Sequence, residues 1–78
     1  MSRTILDNVA DTTAVEADTR TQRSVVWVTA GTATVTHDGE VIATLAATTD
    51  RKVIDGLPSG EKLTFTATSA NTTAKITP

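Results

Sequence analysis

The sequence contains no cysteine and no tyrosine, and only one histidine, one tryptophan and one phenylalanine among its 78 residues. Without cysteine the chain can form neither a disulfide nor a thiolate metal site. The single imidazole, His37, is too little for a histidine metal cluster. We therefore expect no metal and no cofactor. A domain this small usually gains stability from cross-links, metals or partners, so elimination leaves self-association or docking on a larger surface.

Charge and hydropathy exclude two further classes of partner. The net charge is −2, and the basic residues are scattered singly apart from Arg51 and Lys52, whereas nucleic-acid binding needs a clustered basic face. No apolar run approaches a membrane span, and residues 1–13 lack the apolar core of a signal peptide. We expect no nucleic acid, no membrane, and a protein made in a cytosol and kept there or released by a route other than ordinary secretion.

Threonine is the commonest residue, with 18 positions, and it alternates with apolar residues in two segments. A period of two places all threonines on one face of a strand and all apolar groups on the other. The two segments are Thr32-Ala33-Thr34-Val35-Thr36 and Thr64-Phe65-Thr66-Ala67-Thr68. The pattern predicts an all-β module whose threonine-covered face meets solvent or another subunit.

Turn residues divide the chain from Arg23 onward into six predicted strands. The clearest turn is Asp38-Gly39, the signature of a two-residue hairpin in which both central residues take positive φ. Short loops and regular turn signals favour a small antiparallel sandwich or barrel over residues 23–78. The predicted strands are Ser24–Ala30, Thr32–His37, Glu40–Ala46, Arg51–Asp55, Glu61–Ser69 and Thr73–Thr77.

Residues 1–22 follow no clean period, and we interpret them as an extended N-terminal arm with a short strand near Thr4–Leu6 as one option. Two readings stay open at this point: a disordered tail, or an arm that orders on a neighbouring subunit. The second reading supplies the residues expected to bind a partner: Ile5, Leu6, Val9, Val15, Arg20 and Arg23.

No group of residues spells out catalysis, so we do not expect an enzyme. Trp27 lies in the apolar run Val25–Val28 and is expected in the core, although an exposed tryptophan could anchor an interface or stack on a sugar. His37 and Asp38 adjoin a turn and point to opposite faces, which favours a solvated turn over an acid–base pair. Asp50, Asp55 and Glu61 lack the converging spacing of a calcium site.

The segment Val53–Thr68 resembles the E-to-F corner of fibronectin type III and related immunoglobulin-like domains. It contains the corner Gly56-Leu57-Pro58-Ser59-Gly60, but Leu63 fills the position of the family's corner tyrosine, so the tyrosine-corner hydrogen bond is absent. The resemblance implies an immunoglobulin-like β-sandwich of about six strands. It also implies a second functional reading, a binding module that recognises carbohydrate or a host surface protein through the loops at His37–Glu40 and Gly56–Gly60.

The chain as a whole resembles the small threonine- and alanine-rich decoration, or cement, proteins of tailed-phage capsids. The resemblance lies in the acidic segment Asp7–Asp18, the cysteine-free β module Arg23–Pro78 and the turns at Asp38-Gly39 and Pro58-Ser59-Gly60. It implies a structural virion protein on the capsid surface, made in the host cytoplasm. Its partners would be the major capsid protein and further copies of itself, with a trimer favoured. It would stabilise junctions between coat subunits.

Overall fold

The computed structural model describes residues 2–48 and 51–78, which form two antiparallel four-stranded sheets packed face to face. Sheet A has the strand order β1-β8-β3-β6, and sheet B has the order β2-β7-β4-β5. The predicted small antiparallel β-sandwich is confirmed, but the predicted count of six strands is wrong because the described residues form eight. The strands are β1 (Arg3–Val9), β2 (Ala14–Asp18), β3 (Arg23–Ala30), β4 (Thr32–His37), β5 (Glu40–Ala46), β6 (Lys52–Asp55), β7 (Lys62–Ala67) and β8 (Thr72–Thr77).

The two additional strands come from the segment interpreted as an extended arm. β1 pairs with β8 in sheet A, and β2 pairs with β7 in sheet B. Leu6 of β1 is fully buried between the sheets. The register of β1 against β8 shifts twice, between Thr4 and Leu6 and again between Leu6 and Val9. Each shift breaks the two-residue period, which is why sequence periodicity gives no strand signal there.

The central strand order matches an immunoglobulin-like sandwich, while the flanking strands differ. The neighbours β3–β6 and β5-β4-β7 correspond to strands B–E and C′-C-F of that fold. The C-terminal strand β8 lies beside β3, where the first strand of an immunoglobulin-like domain would lie, and the N-terminal β2 lies beside β7, where the last would lie. Leu63, at the position of the corner tyrosine, is fully buried in the core.

The core between the sheets is built from small and medium side chains around Phe65. Three alanines on central strands, Ala33, Ala67 and Ala74, are at most 1% exposed, so the sheets approach closely and leave little room for larger groups. The Asp38-Gly39 hairpin turn is present as predicted, with φ of 53° at Asp38 and 79° at Gly39. This turn holds the register of β4 and β5 at the end of sheet B.

A buried threonine fixes the loop between β6 and β7. The hydroxyl of Thr19, which is 1% exposed, donates to the carbonyl of Pro58 at 2.8 Å and accepts from the backbone N–H of Glu61 at 3.0 Å. The backbone of Thr19 adds two bonds, one to the carbonyl of Glu61 at 2.8 Å and one from the N–H of Gly60 at 2.7 Å. One residue thus ties this loop to the end of β2.

Replacement of Thr19 by valine is expected to destabilise the protein by about 1–2 kcal/mol, because valine keeps the shape of this buried side chain and removes its two part-buried hydrogen bonds to the Pro58 carbonyl and the Glu61 N–H. Urea unfolding followed by tryptophan fluorescence measures this change. Thr21→Val is the matched control, since Thr21 is exposed, and it should change the free energy of unfolding by less than about 0.5 kcal/mol. Equal effects of the two substitutions would contradict the assignment.

Arg3 joins the two sheets at the side formed by β1 and β2. Its guanidinium donates to the backbone carbonyls of Asp18 at 2.6 Å and Pro78 at 2.9 Å, and to the Asp18 carboxylate at 3.3 Å. The pKa of Asp18 lies below the ordinary value of 3.8, mainly because the residue's own backbone amide donates a hydrogen bond to its carboxylate. Desolvation opposes this lowering in part, and the positive charge of Arg3 adds to it. The folded state therefore favours the ionised carboxylate.

This lowered pKa predicts acid sensitivity that depends on Asp18. A depressed pKa in the folded state stabilises the protein above the ordinary value, and the contribution disappears as the pH falls through the folded pKa. The stability difference between wild type and Asp18→Asn, measured by urea unfolding, should therefore be fully present at pH values well above the ordinary pKa of 3.8 and shrink as the pH falls below it. Asp7→Asn, at an exposed carboxylate of β1, is the control. A difference that does not change with pH would refute the assignment.

Candidate binding surfaces

The six residues predicted to bind a partner do not form one surface. Leu6 is fully buried and so unavailable to a partner, while Ile5 and Val9 pack against the core. Val15 is 37% exposed on β2. Arg20 and Arg23 are exposed. Arg23 lies on β3 opposite Asp55 of β6, and β6 is the edge of sheet A farthest from β1.

Trp27 does not lie in the core, which corrects the sequence-based expectation. Alternation along β3 turns Val26 and Val28 inward, so Trp27 lies half-buried on the outer face of sheet A. The guanidinium of Arg51 stands over its ring, 4.1 Å from the ring centroid, in a cation–π contact. The apolar run hid this because Val25–Val28 contains residues of both faces, and only one face of β3 packs against sheet B.

The outer face of sheet B carries the threonines, in agreement with their spacing. The two threonine segments are neighbours: Thr34 pairs with Thr66 and Thr36 with Thr64 across β4 and β7. At the end of this array the hydroxyls of Thr32 and Thr68 are hydrogen-bonded at 2.6 Å. Cross-strand threonine pairs of this kind stabilise a sheet, which gives this surface a structural role of its own.

A groove of about 230 Å³ opens at the side of the sandwich where β5 and β6 are the edge strands. Two of the exposed large apolar residues line it, Ile42 at 40% exposed and Val53 at 50% exposed, whereas Val41, at 56% exposed, pairs with Thr36 on the outer face of sheet B. Val15, on the opposite edge, is the remaining one among the described residues. The groove is lined by His37, Ile42, Val53, Ile54, Asp55 and Leu57.

An irregularity in β5 creates the apolar part of this groove. Val35 pairs with Ala43 and Thr36 pairs with Val41, so Ile42 is an additional residue with no partner on β4. A bulge of this kind breaks the alternation and turns two successive side chains away from the core. Adjacent Val41 and Ile42 within an alternating strand are the sequence signal that could have indicated it.

The two loops singled out from the sequence meet at one end of the groove. The imidazole Nε2 of His37 lies 3.4 Å from the Glu61 carboxylate and 3.7 Å from that of Asp38. This contact links the β4–β5 turn to the loop before β7. The groove therefore combines an apolar wall with an imidazole and the carboxylate of Asp55, a combination suited to binding an apolar segment that carries a polar or charged group.

Acidic residues and the single histidine occur within residues 2–48 and 51–78. No three His, Asp or Glu side chains of these residues come together as a metal site requires. Asp55 lines the groove and Glu61 contacts His37, while Asp50, the third residue of the calcium reading, lies outside the described residues. No helix in this part of the chain is long and apolar enough to cross a membrane. The chain matches no known family model, no curated protein and no solved structure.

Proposed function

We propose that this protein is a structural virion subunit, a capsid decoration protein that binds the major capsid protein through the groove between β5 and β6. The observation that supports this is the apolar groove itself, which is lined by Ile42 and Val53, both exposed, and by the partly buried Leu57. The outer face of sheet B, in contrast, is covered with threonine. An apolar patch with a polar rim is typical of a protein–protein contact surface.

The mechanism is the burial of this patch at the junctions between coat subunits. Burial of apolar area contributes about 25 cal/mol per Å², so one small contact is weak by itself. Copies placed on every equivalent junction of a symmetric shell repeat the same contact. The summed contacts raise the barrier to rupture of the shell without a strong interaction at any single site.

Binding of the purified protein to capsid shells that lack accessory proteins tests this proposal. Co-sedimentation should be saturable, with one binding stoichiometry per junction, and Ile42→Thr should weaken it about tenfold, since threonine keeps the β-branched shape and loses apolar area. Val15→Thr is the matched control: it makes a similar change on the opposite edge, at a residue predicted from the sequence to bind a partner.

Each outcome separates the alternatives. Loss of sedimentation with Val15→Thr alone would move the capsid contact to the β1–β2 side and refute the groove. A wild-type chain that never sediments with shells would refute the decoration role.

A second function, an immunoglobulin-like module that recognises carbohydrate or a host surface protein, is favoured by one specific observation. The loops His37–Glu40 and Gly56–Gly60 both reach the groove, which is lined by His37 of the first loop and Leu57 of the second. A glycan array tests it, with Leu57→Ala to alter the groove and Trp27→Ala to alter the outer face of sheet A. Glycan binding that Leu57→Ala abolishes would favour this module over a decoration protein.

A further inference from the structure

The free edge of β6 presents a defined row of backbone hydrogen-bonding groups. The N–H of Gly56 donates to the carbonyl of Gln22 at 3.1 Å, and the pairing of Ser24 with Ile54 continues that register. In an antiparallel pair the residues alternate between bonding toward the partner and pointing away from it. Ile54 therefore bonds toward β3, while Val53, one residue away, directs its N–H and C=O to the free edge.

The same alternation assigns Arg51 and Asp55 to the free edge together with Val53. These three side chains share the outer face of sheet A: Val53 pairs with Val25 there, and Arg51 stands over Trp27 at 4.1 Å. In chain order the free-edge residues are cationic, apolar and anionic. When the strand lies antiparallel to a copy of itself and centred on the apolar residue, each cationic residue therefore lies opposite an anionic one.

We propose that β6 pairs with β6 of a second copy of this chain, antiparallel, about a two-fold axis through Val53. In this register Val53 faces Val53 of the second copy, and Arg51 faces Asp55 of the second copy on each side of the axis. All three are positions whose backbone groups are free, so they form hydrogen-bonded pairs. The two A sheets then join into one eight-stranded sheet.

The other three edges of the described sandwich are poorly suited to self-pairing. The N–H of Thr19 donates to the carbonyl of Glu61 at 2.8 Å, so alternation leaves Glu16 at the centre of the free groups of β2. A two-fold pair there would set Glu16 against itself. β1 has two shifts of register, and β5 has the bulge at Ile42, and such irregularities obstruct pairing of edge strands.

Sheet B leaves room for this pairing. β5, the edge of sheet B on this side, packs against β3, so β6 extends beyond it as an overhanging strand. With β6 paired, the β5 edges of the two copies face each other across the axis, separated by the width of the paired strands. The two grooves then open onto one shared trough.

Solution mass is the first test, using the purified full chain. The interface is a single short strand pair and is smaller than a standard protein interface, so light scattering should show a concentration-dependent rise from 8.1 kDa to twice that mass. Arg51→Asp and Asp55→Arg each place like charges opposite each other and should weaken dimerisation about tenfold or more. An equimolar mixture of these two variants restores opposite charges at both positions and should form the heterodimer.

A single introduced cysteine provides a second test that does not depend on charge. The chain has no cysteine, and the axis places position 53 opposite itself with Cα atoms about 5.5 Å apart, within the range that a disulfide bridges. Val53→Cys should oxidise to a covalent dimer, whereas Val41→Cys, at a similarly exposed position on β5, should not. Circular dichroism of every variant confirms that the fold is retained.

Three results would overturn the pairing: a monomer at millimolar concentration, a trimer that the charge variants leave unchanged, or equal oxidation of the two cysteine variants. The trimer is the symmetry implied by the resemblance to decoration proteins, so the same scattering experiment decides between two-fold and three-fold association. The inference does not depend on the proposed capsid role. Shell binding by a monomer would refute the pairing alone, and a dimer that binds no shell would refute the capsid role alone.

Discussion

Deletion of residues 2–18 is expected to leave a chain without a cooperative unfolding transition. The deletion removes β1 and β2, one edge strand from each sheet, and with them the buried side chains of Leu6 and Ala17. Loss of a buried leucine side chain alone costs about 2–5 kcal/mol. The total stability expected for 78 residues is about 4–12 kcal/mol. Thermal unfolding monitored by circular dichroism should show no sigmoidal transition.

The point variants Leu6→Ala and Asp7→Ala test whether the stabilising effect of this segment comes from its buried side chain. Leu6→Ala should lower the free energy of unfolding by about 2–5 kcal/mol, whereas Asp7→Ala, at an exposed neighbour, should change it by less than about 0.5 kcal/mol. A deleted chain that still unfolds cooperatively would support the interpretation of these residues as an extended arm outside the folded domain.

Replacement of Gly31 by alanine is expected to destabilise the protein by about 2–5 kcal/mol. Gly31 joins β3 to β4 with φ of +76°, and a Cβ atom there would lie 2.9 Å from Thr72 Cα and still closer to Thr72 Oγ1. The left-handed backbone costs alanine about 1–2 kcal/mol, and overpacking adds about 1–3 kcal/mol. Thr72 cannot move aside easily, since it is fully buried and its hydroxyl donates to the carbonyl of Ser69 at 2.8 Å.

Two other glycines with positive φ isolate the steric part of this effect. Gly39 has φ of +79° and Gly60 has φ of +90°, and a Cβ atom at either would meet nothing within 4 Å. Gly39→Ala and Gly60→Ala should therefore cost only the backbone term of about 1–2 kcal/mol. Urea unfolding of the three variants gives the comparison. Equal costs at all three positions would show that Thr72 adjusts without a penalty.

Local chemistry made the C-terminal two-thirds of the fold predictable. The Asp38-Gly39 turn gave β4 and β5 their bounds, because a two-residue hairpin fixes the register of both strands. The alternation of threonine with apolar residues gave the faces of β4 and β7. In this part of the chain, the local preference of each residue for a turn, an inner face or an outer face agrees with its position in the sheet.

For the N-terminal segment the sequence offered only a short strand near Thr4–Leu6, within β1, and no sign of β2, because the order of these strands is imposed by tertiary contacts. The pairing of β1 with β8 shifts register twice. Which side chains of β1 face the core is therefore decided by its contacts with β8 and cannot be read from a two-residue period in the sequence. Trp27 was misplaced for a related reason: an unbroken apolar run does not reveal which residues face the opposite sheet, and the alanine-lined core decides that Val26 and Val28 do. Sequence reasoning named the loops at His37–Glu40 and Gly56–Gly60, but the groove beside them depends on the bulge at Ile42, a tertiary feature.

The pairing of the first two strands with the last two sets the order of events in folding. β1 bonds to β8 and β2 bonds to β7, so neither sheet is complete until nearly the whole chain is available. Forming contacts between residues so distant in sequence costs a large loop-closure entropy before the contacts stabilise the fold. All-β folds rich in such contacts fold in about milliseconds to seconds. The hairpin of β4 and β5 is the local exception, and we expect it to form early and to serve as the template on which both ends of the chain assemble.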